Sequence, residues 1–168
     1  MRQERLYVLR GHATGICGLS FNVAGTRLVS GSYDMSVRAW DVRERAQIRE
    51  MRGHSGYVYS VAFDKAGEKV VSGSDDGTIR VWSLASEDPP KILRGHSGTV
   101  LAVVIGDGGR IVSAGLDQTL KVWELDGTEE LVTVVGHKGA VSCICISGDE
   151  KLLLSGSYDG TVRMWRIE

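Results

Sequence analysis

Residues 152–165 read LLLSGSYDGTVRMW. An apolar run enters a Ser-Gly-Ser, meets an Asp-Gly pair, and leaves as an alternating segment that ends on tryptophan. Asp-Gly between two strand-like runs signals a tight hairpin. The same stretch also gathers serine, aspartate, tyrosine and arginine, which resembles the make-up of a catalytic site. Three upstream segments share its layout: LVSGSYDMSVRAW (28–40), VVSGSDDGTIRVW (70–82) and IVSAGLDQTLKVW (111–123). The stretch is therefore one copy of an internal repeat, and repeats decide architecture before any single motif does.

Working outward, each copy is preceded by a Gly-His pair, at His12, His54, His96 and His137. The histidines lie 42, 42 and 41 residues apart, and the tryptophans, Trp40, Trp82, Trp123 and Trp165, lie 42, 41 and 42 apart. Each of the first three tryptophans is followed by the next histidine after 14 residues. The one-residue deletion thus falls between His96 and Trp123, at the turn GDGG (106–109). Every histidine and every tryptophan of the chain belongs to the repeat.

Within a unit, strands a, b and c fall at 56–63, 68–74 and 78–83 of the second copy. A weaker strand d precedes the next Gly-His, at 46–51, 90–93 and 130–135. In 56–63, strict alternation sets Val58, Ser60 and Ala62 against Tyr57, Tyr59 and Val61. No segment supports a long helix. The expected fold is all-β, with four small antiparallel sheets per chain that must stack to bury their faces.

Gly-His, then about 28 residues to Trp with Asp six before it, four times over, resembles the WD-repeat (tryptophan–aspartate) β-propeller family. The residue after tryptophan departs from that pattern, being Asp41 once and otherwise Ser83, Glu124 and Arg166. The resemblance implies blades of four-stranded antiparallel sheets, four per chain, over 1–168. It also implies that residues 5–9 (RLYVL), which precede the first Gly-His as strand d does, close the last blade. Four blades close a ring with difficulty. Two copies forming an eight-bladed homodimer are expected, or half of a ring completed by another protein, or a fragment of a longer polypeptide.

Each unit carries His, Ser and Asp: His12, Ser30, Asp34; His54, Ser72, Asp76; His96, Ser113, Asp117; His137, Ser155, Asp159. Read as chemistry, these are base, nucleophile and orienter. Read as structure, they are a hydrogen-bond relay, and the resemblance implies the order Trp to Ser to His to Asp. Fourfold recurrence and a tryptophan donor at fixed spacing favour the relay, so no catalytic residue is expected. No metal or other cofactor is expected either: the histidines are committed and GDGG lacks the lysine and helix of a phosphate loop. Cys143 and Cys145 share a strand face and read as core filler.

The resemblance places the start of strand a and the residue before each turn aspartate on one face around the central channel. Those positions hold Tyr57 and Tyr59, then Tyr33, Asp75, Leu116 and Tyr158. Aromatics there suit recognition of a protein or peptide partner. Length, 168 residues, is that of one domain. A net charge of −1 with mixed signs offers no basic block for nucleic acid or a membrane surface. MRQERLYVLRGH is too polar for a signal peptide. Three cysteines without C-x-x-C spacing fit a reducing, intracellular setting, cytoplasmic or nuclear.

Overall fold

The computed structural model describes residues 7–106 and 108–166. Described residues form strands, turns and loops, with no helix. Blade 1 is the sheet β1 (Ile16–Phe21), β2 (Arg27–Ser32), β3 (Val37–Asp41), β4 (Ala46–Met51), in that spatial order. Blade 2 is β5 (Val58–Phe63), β6 (Lys69–Ser74), β7 (Thr78–Ser83), β8 (Lys91–Arg94). Blade 3 is β9 (Val100–Ile105), β10 (Arg110–Gly115), β11 (Leu120–Glu124), β12 (Glu130–Val134). Blade 4 holds three described strands, β13 (Val141–Ile146), β14 (Leu152–Ser157) and β15 (Val162–Arg166). All neighbouring strands are antiparallel, so each blade is a meander joined by short turns. In the turn joining the second and third strands, the residue after the aspartate is left-handed, with φ of 65° at Met35, 76° at Gly77, 66° at Gln118 and 81° at Gly160. Glycine adopts that conformation without steric cost, which explains the Asp-Gly signal.

The inner strands β1, β5, β9 and β13 stack in sequence, and the core lies between successive blades. Val29, Val37, Ala39 and Met51 of blade 1 meet Val58, Val61, Phe63, Val70 and Trp82 of blade 2. Val71, Ile79, Val81 and Leu93 of blade 2 meet Val100, Val103, Ile111 and Trp123 of blade 3. The third junction repeats the scheme between Val112 and Leu120 of blade 3 and Val141, Leu153 and Trp165 of blade 4. Blades approach so closely that small residues are needed: a Cβ on Gly31 would sit 2.7 Å from Val58 Cγ1, and one on Gly73 2.6 Å from Val100 Cγ1.

Two expectations change. Strict alternation in 56–63 fails, because a bulge between Val58 and Ser60 inserts one residue and re-aims the strand. Val58 and Val61 therefore face blade 1 together, while Ser60 faces blade 3, where its Oγ accepts the Val103 N–H at 3.0 Å. Cys143 and Cys145 are exposed rather than core, because among the described residues no blade covers their face of β13. Of the strand expected over 5–9, residues 5–6 lie outside the described residues. Tyr7, Val8 and Leu9 are described and belong to no sheet. The Tyr7 hydroxyl instead donates to the Val42 carbonyl at 3.1 Å, with the Arg45 guanidinium 5.1 Å over its ring.

Candidate functional site

Two features carry the candidate residues: four buried polar sets inside the blades, and one exposed face at the inner strands.

In blade 2 the Trp82 indole N–H donates to Ser72 Oγ at 2.8 Å. Ser72 Oγ lies 2.8 Å from His54 Nε2, and His54 Nδ1 lies 2.8 Å from Asp76 Oδ2. An indole can only donate and a carboxylate can only accept. The hydroxyl proton is thus free for Nε2, and the histidine proton sits on Nδ1. The sets of the other blades repeat this. Ser30 links Trp40 and His12 at 2.9 and 2.7 Å, with Asp34 at 2.9 Å from His12. Ser113 links Trp123 and His96 at 2.9 and 2.8 Å, with Asp117 at 2.8 Å from His96. Ser155 links Trp165 and His137 at 2.8 and 2.8 Å, with Asp159 at 2.9 Å from His137.

Each aspartate is saturated. Asp76 Oδ2 also accepts the Ser55 N–H, and Oδ1 accepts the Thr78 N–H and hydroxyl. Burial works to raise the Asp76 carboxyl, but the hydrogen bonds from His54 and Thr78 outweigh it and hold it well below the usual carboxylate range. Asp34 is lowered in the same way, with burial opposed by Ser36, the Ala13 N–H and His12. In Asp159 the Thr161 hydroxyl leads the lowering. Burial pushes His96 below its ordinary value despite the Asp117 charge, so this imidazole is neutral near pH 7. With the serine hydroxyl shared between Trp and His, no set leaves a serine oxygen aimed at solvent.

The exposed face centres on blades 1 and 2. Tyr33, just before the β2–β3 turn aspartate, packs against Tyr57 at 4.8 Å and Tyr59 at 6.0 Å between ring centroids. Tyr57 and Tyr59 lie 6.5 Å apart, and all three pairs are edge-to-face. Tyr57 and Tyr59 flank Val58 two residues apart, so the period of two along the strand places both rings on this side. Tyr33 and Tyr57 remain almost half exposed. Hydrogen bonding with Cys17, which holds in blade 1 the place of Tyr59 in blade 2, leads the raising of the Tyr33 hydroxyl. Burial and then the Asp75 charge raise Tyr59. Asp75 Oδ1 accepts the Thr99 hydroxyl of blade 3 at 2.6 Å. Leu116 and Tyr158 are exposed before their own turns, but neither joins the aromatic cluster.

A further periodic residue went unread: a base two before every tryptophan, Arg38, Arg80, Lys121 and Arg163. Arg38 pairs with Glu50 at 2.9 Å and Lys121 with Glu130 at 2.7 Å, tying β3 to β4 and β11 to β12. The spacing was visible, but the partners came from strand d, whose register only pairing reveals. Among the described residues, no group of His, Cys, Asp and Glu is arranged to hold a metal. A cavity of about 320 Å³ between blades 3 and 4, lined by Gly106, Arg110, Ile146 and Glu150, has none of the tyrosines and no serine, threonine, cysteine or histidine in its lining.

Meandering sheets stacked through apolar faces, each carrying a Trp–Ser–His–Asp set, define a propeller-type repeat protein. The family model described as "WD domain, G-beta repeat" matches residues 3–41, 45–83, 87–124 and 128–166, and the chain belongs to this WD-repeat family. It is also similar to the "Periodic tryptophan protein 2 homolog" of Schizosaccharomyces pombe, 45% identical over 47 residues. That likeness covers 28% of this chain and 6% of the relative's length.

Proposed function

We propose that this chain is a non-catalytic protein-interaction scaffold whose tyrosine-rich face receives a peptide or protein segment. The observation that carries the reading is the exposed cluster of Tyr33, Tyr57 and Tyr59. Three rigid rings, an acid at Asp75 and an apolar Leu116 form a shallow surface in place of a deep pocket. Such side chains supply contact area with little loss of conformational freedom, and aromatics lead the energetics of protein interfaces. Family membership supports the same role. Tyr158 extends the face into blade 4. The four His–Ser–Asp sets serve as braces, since every polar atom in them already has a partner inside its own blade.

The test is the Tyr57→Ala/Tyr59→Ala double variant. Neither hydroxyl holds the fold, so thermal unfolding should change little while partners captured by the parent chain are lost. Retention of the same partners would move the binding face elsewhere. Exposure to a serine-directed fluorophosphonate separates the hydrolase alternative, and no serine is expected to be labelled. A second reading, an architectural ring segment, is favoured by the uncovered apolar faces of blades 1 and 4. Free thiols at Cys17, Cys143 and Cys145 fit work in a reducing, intracellular compartment. Mixed surface charge fits a protein partner and neither nucleic acid nor membrane, and no cofactor enters this role.

A further inference from the structure

Among the described residues, blades 1 and 4 each leave one face uncovered, and the two faces are opposite halves of the junction formed three times inside the chain. On blade 1, Ile16, Leu19 and Phe21 stand where Val58, Val61 and Phe63 stand in blade 2. They are 51, 63 and 60% exposed, against 0, 6 and 8% for their counterparts. On blade 4, Val162 and Met164 stand where Ile79 and Val81 stand in blade 2. They are 75 and 63% exposed, against 0 and 7%. Stacked-repeat proteins that end in solvent carry polar outer faces on their terminal repeats. Both faces here keep the apolar residues of a covered junction, which marks them as contact surfaces.

We infer that the two faces are covered by a second copy of this chain, blade 1 of each copy docking on blade 4 of the other. Three observations point to a copy of itself. The blade 1 face is of the kind that blade 4's face accepts, so one partner copy covers both at once and leaves none exposed. Two heterologous contacts related by a twofold axis close into a ring, and eight blades lie within the range of closed propellers. The segment Tyr7–Leu9 already lies against the outer end of blade 1. There Tyr7, five residues before His12, reaches the carbonyl of Val42, two after Trp40, as Lys91, five before His96, reaches that of Leu125, two after Trp123. Lys91 belongs to β8, the outer strand of the preceding blade. Tyr7 thus occupies the outer-strand place of a blade stacked before blade 1, and among the described residues no strand pairs with the outer edge of β15 in blade 4. Leu9 lies three residues before His12, as Met51 and Leu93 lie before their histidines, and would seal the junction as they do.

The inference also gives the exposed cysteines a setting. Cys143 takes the position of Ser60, whose side chain accepts an N–H across a junction. In the assembly it meets the partner copy's β1 backbone and becomes shielded with Cys145. The inference rests on the chain being a ring segment, and it is independent of what the tyrosine face binds.

Light scattering on the purified chain at micromolar concentration should give twice 18.2 kDa. Leu19→Asp and Met164→Asp, on exposed positions that leave each copy folded, should each give a monomer of unchanged far-ultraviolet circular dichroism. An equimolar mixture of the two should recover the dimer, because one of its two junctions is then wild-type on both sides. Maleimide should label Cys17 alone in the parent dimer and all three thiols in either variant. A monomeric parent chain, a mass above two copies, a mixture that stays monomeric, or Cys143 and Cys145 equally reactive in parent and variant would each overturn the pairing. A monomer that still captures partners through Tyr57 and Tyr59 would overturn it while leaving the scaffold role intact.

Discussion

Replacing Asp76 with alanine separates a brace from a catalytic group. In the parent chain Asp76 Oδ2 takes the His54 Nδ1–H at 2.8 Å and the Ser55 N–H at 3.0 Å. Oδ1 takes the Thr78 N–H at 2.9 Å and its hydroxyl at 2.6 Å. The Ser55 N–H is exposed and passes to water at little cost. The His54 side chain is sealed from solvent, so its Nδ1–H is stranded, at about 1–3 kcal/mol for a buried unpaired donor. Thr78 is buried as well, and its N–H adds a loss of similar kind. Its hydroxyl lies 3.5 Å from His54 Nδ1 and can move partly into the gap, which keeps the sum near the lower end. The expected destabilisation is about 3 kcal/mol, or roughly 6–12 °C in Tm for a chain of this size. Urea unfolding followed by tryptophan fluorescence reads it, since Trp82 belongs to the same set. Asp76→Asn keeps one acceptor oxygen and should lose about half as much. A loss below about 0.5 kcal/mol, ordinary for a surface substitution, would refute the bracing role of the carboxylate.

Acid should destabilise the fold in two stages. His96 is lowered by burial, so the unfolded chain binds its proton more readily. The stability linked to it is complete above pH about 6.5 and is lost as pH falls through its folded value. Asp34, Asp76, Asp117 and Asp159 are also lowered, and their contribution disappears below about pH 4 as they take up protons. Tm measured from pH 8 to 3 should be level at first, decline below 6.5 and steepen below 4. A Tm rising on acidification from pH 6 to 4 would contradict the assignment. Gly73→Val inserts atoms where a Cβ already comes within 2.6 Å of Val100 Cγ1 and 3.0 Å of Val103 Cγ1. The overpacked junction should lose about 1–3 kcal/mol in urea unfolding, and an unchanged midpoint would show that the blades part without cost.

Most of the fold was legible because it is written four times. Near-equal spacing of His12, His54, His96 and His137 with their tryptophans gives the unit, and the turn aspartates, two of them followed by glycine, give the hairpins. The residues of the polar sets recur at the same spacing, their order as a relay is what the family resemblance implies, and the structure places them within hydrogen-bond distance in every blade. What spacing could not supply was direction. The bulge between Val58 and Ser60 breaks the period of two, so the faces of β5 could not be read by counting. Arg38 and Lys121 showed only as a periodic base, since Glu50 and Glu130 reach them through cross-strand register.

By itself, then, the sequence determined the repeat, the succession of strands within a unit and the recurrence of His, Ser, Asp and Trp in each unit, because these are local relations at fixed spacing. Tertiary structure alone decided which residues are covered. Val61 and Leu19 hold the same place in the repeat, as do Ser60 and Cys143. Val61 and Ser60 are against a neighbouring blade, while Leu19 and Cys143 are exposed. Burial in a stacked repeat belongs to the junction between blades, and a junction exists only where a neighbour is packed against it.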